Sequence, residues 1–100
     1  MDISVTEFAS RYQDKDQFFL IDVREELEFQ TFNIGGDNIP LGMLLSNAKD
    51  IDYPVESEIV LVCQRGLRSK TATKILQAQG YKNARNLEGG LLALRKHKNL

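Results

Sequence analysis

The chain has one cysteine and one histidine. A lone cysteine excludes an internal disulfide framework, and without a cysteine–histidine cluster there is no signal for a structural metal. Long apolar runs are missing as well. No stretch approaches the length a membrane-spanning helix needs, and the opening MDISVTEFASRYQDKDQ has no apolar signal-peptide core. There are no repeats, low-complexity tracts or linkers. Neither sign of charge dominates, with 13 Lys and Arg against 14 Asp and Glu for a net −1. No aromatic residues interleave the basic ones, so a nucleic-acid partner is not expected. What is present, 42% hydrophobic residues in a chain of 100, suits a single soluble domain over residues 1–100 with a core of modest size. A cytoplasmic location is expected, where a reducing environment keeps a lone thiol available.

The near-zero balance conceals a division. Residues 1–58 carry thirteen acidic and four basic side chains, whereas residues 59–100 carry one acid, Glu88, and nine bases, for net charges of −9 and +8. Two explanations are open. Both stretches can share one sheet so that their fields cancel, or the positive stretch gathers anions and acidic partner surfaces around the cysteine it contains.

Short apolar runs alternate with helix-like segments. Ser4 and Glu7 have capping-box spacing, and Val5, Phe8 and Tyr12 fall on one helical face. FFLID at 18–22 reads as a buried strand, VREELEF as a short helix, NIGGDNIP as a turn around a short strand near Ile39, and LGMLL at 41–45 as another short helix. After a polar stretch comes IVLV at 59–62, the second clear strand. Both strands are continuously apolar, as in a parallel sheet covered on both faces. KTATKILQAQG gives the strongest helix, with Ser69 as the expected N-cap, Ala72, Ile75, Leu76 and Gln79 in helical period, and Gly80 at the C-cap. ARNLEGG supplies a short strand and a glycine turn, and LLALRKHK a small helix with a basic last turn. The order predicts an α/β fold: a small, mostly parallel sheet of four or five strands flanked by helices on both faces.

CQRGLRS at 63–69 lies between the second strand and the strongest helix. Cys63 therefore stands at the carboxyl end of a parallel strand, where α/β folds place their ligand sites. The helix that follows aims unpaired N–H groups and the positive end of its dipole into the loop. Arg65, Arg68 and Lys70 add full charges. Each influence favours thiolate, the reactive form. Gly66 can adopt the backbone conformation that turns successive N–H groups inward as an anion nest. The competing reading is an inert core cysteine and a solvated Arg68. Arginine at a helix N-terminus opposes the dipole, however, so an anion is expected beside it. Asp22 ends the first strand on the same sheet edge, and either faces the loop to orient a basic group or caps the following turn. Arg24 and Glu28 have the spacing of a helical ion pair. His97, between lysines near the end of the chain, reads as a solvated residue, which argues against a cysteine–histidine hydrolase.

CQRGLRS followed by KTATKILQAQGYKNARNLEGG resembles the active-site segment of the rhodanese-like sulfurtransferases, and IDVREELEF followed by IGGDNIPLG resembles their earlier signature segment. The resemblance covers residues 3–95 and implies a rhodanese-like fold. It implies that Cys63 is the sulfur-carrying nucleophile and that Gln64, Arg65, Gly66, Leu67 and Arg68 form the loop that holds the persulfide. Arg68 would brace the loop, Arg65 would help set substrate preference, and Asp22 and Ser69 would support the site. Four residues separate Cys63 from Arg68. Related phosphatases and arsenate reductases have five, which widens the cradle for a tetrahedral oxyanion, whereas the shorter loop suits one terminal sulfur. Glu28 stands where some thiosulfate-using relatives carry a basic residue, which weighs against thiosulfate as the physiological donor. Asn33 and LLALR stand where family members often have a histidine and a tryptophan, which reads as a packing difference.

The function this resemblance implies is transfer of a sulfane sulfur from thiosulfate or a persulfide donor, through Cys63, to a thiophilic acceptor, with no metal or organic cofactor. The expected partners are a small sulfur-containing anion or a protein persulfide donor, and a sulfur-carrier protein; a membrane is not among them. GGDNIPL resembles rhodanese domains fused behind adenylyltransferases that activate sulfur carriers. That keeps open a relay module that docks a cysteine desulfurase or a carrier and turns over few small molecules. A redox-sensing thiol is a third role, but the chain has no second cysteine to resolve it.

Overall fold

Ile59, Val60, Leu61 and Val62 are all fully buried, and the fold is arranged around the strand they form. In the computed structural model, which describes residues 2–14, 17–47 and 51–97, the elements run β1 (Asp2–Ile3), α1 (Val5–Gln13), β2 (Phe19–Asp22), α2 (Glu26–Thr31), β3 (Asp37–Asn38), α3 (Leu41–Asn47), β4 (Ile59–Val62), α4 (Leu67–Ala78), β5 (Ala84–Leu87) and α5 (Gly90–Arg95). The five strands form one sheet in the order β1-β5-β4-β2-β3, and every pairing is parallel. The sheet is thus wholly rather than mostly parallel. Strand β1 was not foreseen: it is two residues long and is held by pairing Asp2 with Asn86 and Ile3 with Leu87. Two residues carry no readable periodicity.

Strand alternation divides the core in two. Ile59 and Leu61 of β4 join Ile21, Leu44, Ala72 and Leu76 on the face covered by α3 and α4. Val60 and Val62 join Ile3, Phe8, Leu87, Leu91 and Leu94 on the face covered by α1 and α5. Each such aliphatic side chain contributes about 1.5–3 kcal/mol on burial. The same parity carries one residue further. Cys63 falls on the Ile59–Leu61 side, within the α3–α4 cluster, so its thiol points toward the start of α4.

Ser4 caps α1 by accepting the Glu7 N–H at 3.0 Å. The buried face of α1 is narrower than expected. Phe8 and Ala9 are buried, while Tyr12 is 38% exposed and donates its hydroxyl to the Ile34 carbonyl. The N-terminus of α4 is a correction. Its N-cap is Gly66, with φ +85°, and not Ser69, which lies inside the first turn. At the other end the C-cap is Gln79, with Gly80 behind it at φ +103°. No helix among the described residues is long and apolar enough to cross a membrane.

Candidate active site

Cys63 follows β4 directly, and helix α4 begins four residues later. Helices usually satisfy their first N–H groups with a side-chain oxygen at the cap. Gly66 has no side chain, and sulfur takes that role. The Cys63 Sγ accepts hydrogen bonds from the Gly66 N–H at 3.1 Å, the Ser69 N–H at 3.3 Å and the Ser69 hydroxyl at 3.3 Å. Ser69 thus reaches the sulfur twice, through its amide and its hydroxyl, from the first turn of α4. Burial, the largest single influence on Cys63, pushes its pKa up. The Ser69 hydroxyl and the amides of Ser69, Arg65 and Gly66 together outweigh it, and the thiol lies below its ordinary value. Although Cys63 is only 1% exposed, it lines a cavity of about 290 Å³ with Glu28, Gln64, Arg65, Leu67 and Arg68.

The loop is turned by α5. The Leu91 N–H donates to the Cys63 carbonyl and the Leu92 N–H to the Gln64 carbonyl, each at 2.9 Å. In a trans peptide the N–H points opposite to the C=O, so drawing these two carbonyls onto α5 turns the Gln64 and Arg65 N–H groups the other way. Gly90 permits the contact. With φ +66°, it sits so close that a Cβ there would come within 2.5 Å of the Cys63 carbonyl oxygen and 2.6 Å of that of Gln64. These α5 groups were missed in the sequence, where EGG reads only as a turn.

Arg68, on the first turn of α4, does not reach the sulfur. Its guanidinium forms a two-pronged bond to Glu28, at 2.7 and 3.1 Å. That pair holds the Glu28 carboxyl down to about 2, against the opposing effect of burial and with help from the Glu25 amide, and it raises Arg68. The anion expected beside a helix-start arginine is thus Glu28. The helical Arg24–Glu28 pair is replaced because α2 starts only at Glu26, with Glu25 and Glu28 forming its capping box. Arg24 instead lies before the helix and turns back to Asp22. Asp22 is fully buried, and it accepts the Arg24 N–H at 3.0 Å and the guanidinium at 2.8–3.2 Å. Of the two openings for Asp22, the structure realises the turn cap; the basic group it orients is Arg24 and not one in the 63–68 loop. Arg24 also donates to the Phe32 carbonyl at 2.6 Å and so ties down the end of α2.

Arg65 and Leu67 are exposed, Leu67 by 72%. Lys70 is exposed on α4. Beneath the site, the Ser69 hydroxyl lies 2.5 Å from the Asn86 Oδ1 on β5. Asn86 is only 3% exposed. A buried amide in the short strand read at ARNL is a signal that sequence reasoning passed over. Among the described residues no cluster of three or more His, Cys, Asp or Glu could hold a metal ion.

The fold that carries this loop is shared with known proteins. The family model for the rhodanese-like domain matches residues 4–97. A sulfurtransferase of Allochromatium vinosum is 30% identical over 96 residues, which cover 96% of this chain and 89% of that protein. The adenylyltransferase and sulfurtransferase MOCS3-2 of Zea mays is 32% identical over 91% of this chain, but the chain spans only 20% of its length. Among solved structures, the human single-domain sulfurtransferase TSTD1 superposes with a TM-score of 0.78 at 28% identity, over 97% of this chain and 96% of that one. With a family match over nearly all its length and a relative covered almost end to end, this chain belongs to the rhodanese-like domain family.

Proposed function

We propose that the protein is a sulfurtransferase that carries a sulfane sulfur on Cys63. The observation that carries this reading is the set of three hydrogen bonds received by the Cys63 Sγ from Gly66 and Ser69, because donors arranged in advance around a sulfur stabilise its anion. The thiolate attacks the outer sulfur of thiosulfate or a persulfide. A new S–S bond forms, and sulfite or a thiolate leaves with the electron pair. The added sulfur extends into the cavity lined by Gln64, Arg65, Leu67 and Arg68. There the Leu67 and Arg68 amides, which begin α4 and have no intrahelical acceptor, can receive its charge. Gly66 shapes this nest, and Arg68, held by Glu28, braces its rim. A thiophilic acceptor then removes the sulfur. Both steps are redox-neutral and call for no metal or organic cofactor.

A relay role for a protein partner is the second reading. It is favoured by Leu27 and Leu67, exposed by 75% and 72% close to Cys63, and by the likeness to an adenylyltransferase–sulfurtransferase. Intact mass measurement after incubation with thiosulfate, beside a Cys63→Ser control, tests the first reading. One sulfur atom is expected on the unaltered chain only. Sulfur accepted solely from a loaded protein donor would favour the relay, and no gain from any donor would defeat both.

A further inference from the structure

A second cavity, of about 380 Å³, adjoins the one at Cys63, and Glu28 and Gln64 line both. Part of its lining is apolar surface left open to solvent: Leu27 is 75% exposed and Phe32 41%. Three charged side chains also line it, and two of them are matched. Arg24 is held by Asp22 and the Phe32 carbonyl, and Glu28 by Arg68. The third, Arg95, lies with its guanidinium 4.8 Å from the centre of the Phe32 ring, and among the described residues it has no carboxylate partner. The contact with the ring uses none of the guanidinium N–H groups as hydrogen-bond donors to a carboxylate and leaves them available for one. One unmatched positive charge therefore stands beside apolar surface, in a recess that shares Glu28 and Gln64 with the cavity at Cys63. The volume lies in the range of about 300–1,000 Å³ that small organic ligands occupy, more than an inorganic donor or acceptor needs.

We propose that this second cavity is the binding subsite for a small acidic thiol that accepts the sulfur, with its carboxylate on Arg95 and its carbon chain against Leu27 and Phe32. The subsite serves the transfer reaction proposed above and rests on that reading. The acceptor thiolate forms an S–S bond to the outer sulfur of the Cys63 persulfide. The bond between that sulfur and the Cys63 Sγ breaks, and Cys63 leaves as thiolate with the electron pair. The proton of the acceptor thiol goes to solvent.

Two measurements with glutathione derivatives test the subsite. S-methylglutathione cannot react, so its binding can be followed by amide chemical shifts without turnover. Shifts at Phe32 and Arg95 are expected, with affinity falling about tenfold in Arg95→Gln, the scale of one lost charged hydrogen bond. In turnover, the ratio of KM for glutathione to KM for its diethyl ester is expected to rise about tenfold in the same variant, while Phe32→Ala raises both values. Absence of shifts at Phe32 and Arg95, or an unchanged ratio in Arg95→Gln, overturns the subsite. Failure of Cys63 to take up sulfur in the unaltered protein, with the shifts still seen, overturns the transfer reaction and not the subsite.

Discussion

The Ser69 hydroxyl has one proton and two neighbours that can accept it, the Cys63 Sγ at 3.3 Å and the Asn86 Oδ1 at 2.5 Å. When Cys63 is ionised, the sulfur is the stronger claimant, because a charged acceptor strengthens a hydrogen bond about twofold over a neutral one. Ser69→Ala removes this donor but keeps the Ser69 amide in place. Sulfur uptake from thiosulfate near neutral pH is expected to slow about tenfold, equivalent to roughly 1.4 kcal/mol, as read by quenched intact-mass time courses. An unchanged rate would show that the amides alone hold the anion. Ser69 was legible as a helix-start residue but not as a sulfur ligand. That role depends on Gly66 opening the helix in a left-handed conformation, φ +85°, which brings the third residue of α4 back over Cys63. Glu28 was legible as a partner for arginine, but the choice of Arg68 over Arg24 depends on a contact forty residues away, beyond the reach of local spacing.

Helix α5 is six residues long, and its contribution at the level of elements is to hold the loop rather than to cover it. Gly90→Ala places a Cβ within 2.6 Å of three backbone atoms, the Cys63 and Gln64 carbonyl oxygens and the Gly66 nitrogen, at φ +66°. Backbone atoms cannot move aside as a flexible side chain does. Destabilisation of about 3 kcal/mol or more is expected from urea denaturation, and the variant that remains folded should take up sulfur more slowly. A variant as stable and as active as the unaltered chain would show that α5 does not set the loop. The strands that cross the middle of the sheet, β2 and β4, were readable because both are unbroken apolar runs buried between helices. Strand β1, two residues long, exists only through pairing with β5 and leaves no local pattern, whereas β3, equally short and paired with β2, was legible near Ile39 from the glycines and proline around it. The helices were located by period and glycine punctuation. Their exact starts depended on which group caps them, which is why α4 begins two residues before Ser69.

Across the whole molecule, the acidic first stretch and the basic second stretch meet as ion pairs: Glu28 with Arg68, and Glu7 and Glu58 with Arg85. Folding thus sets Arg68 and Arg85, two of the nine bases of the second stretch, against acids of the first. Arg65 and Arg95 are among the cations without a carboxylate partner among the described residues; Arg65 lines the cavity at Cys63 and Arg95 the one beside it. These two positive charges thus lie along the approach to Cys63. Glu28–Arg68 is a solvent-accessible pair and contributes about 0.2–1 kcal/mol at most, so its importance lies in fixing the rim of the site. All of this bears on one property, the ionisation of Cys63. Desolvation raises the pKa of the thiol, while the hydroxyl and amide donors lower it by more, so thiolate persists to more acidic pH than in a free thiol. The rate of Cys63 alkylation by iodoacetamide as a function of pH reads this directly. A half-maximal rate below the ordinary cysteine value of about 8.5 is expected; a half-maximal rate at or above that value would mean that burial dominates and that the loop does not hold an anion.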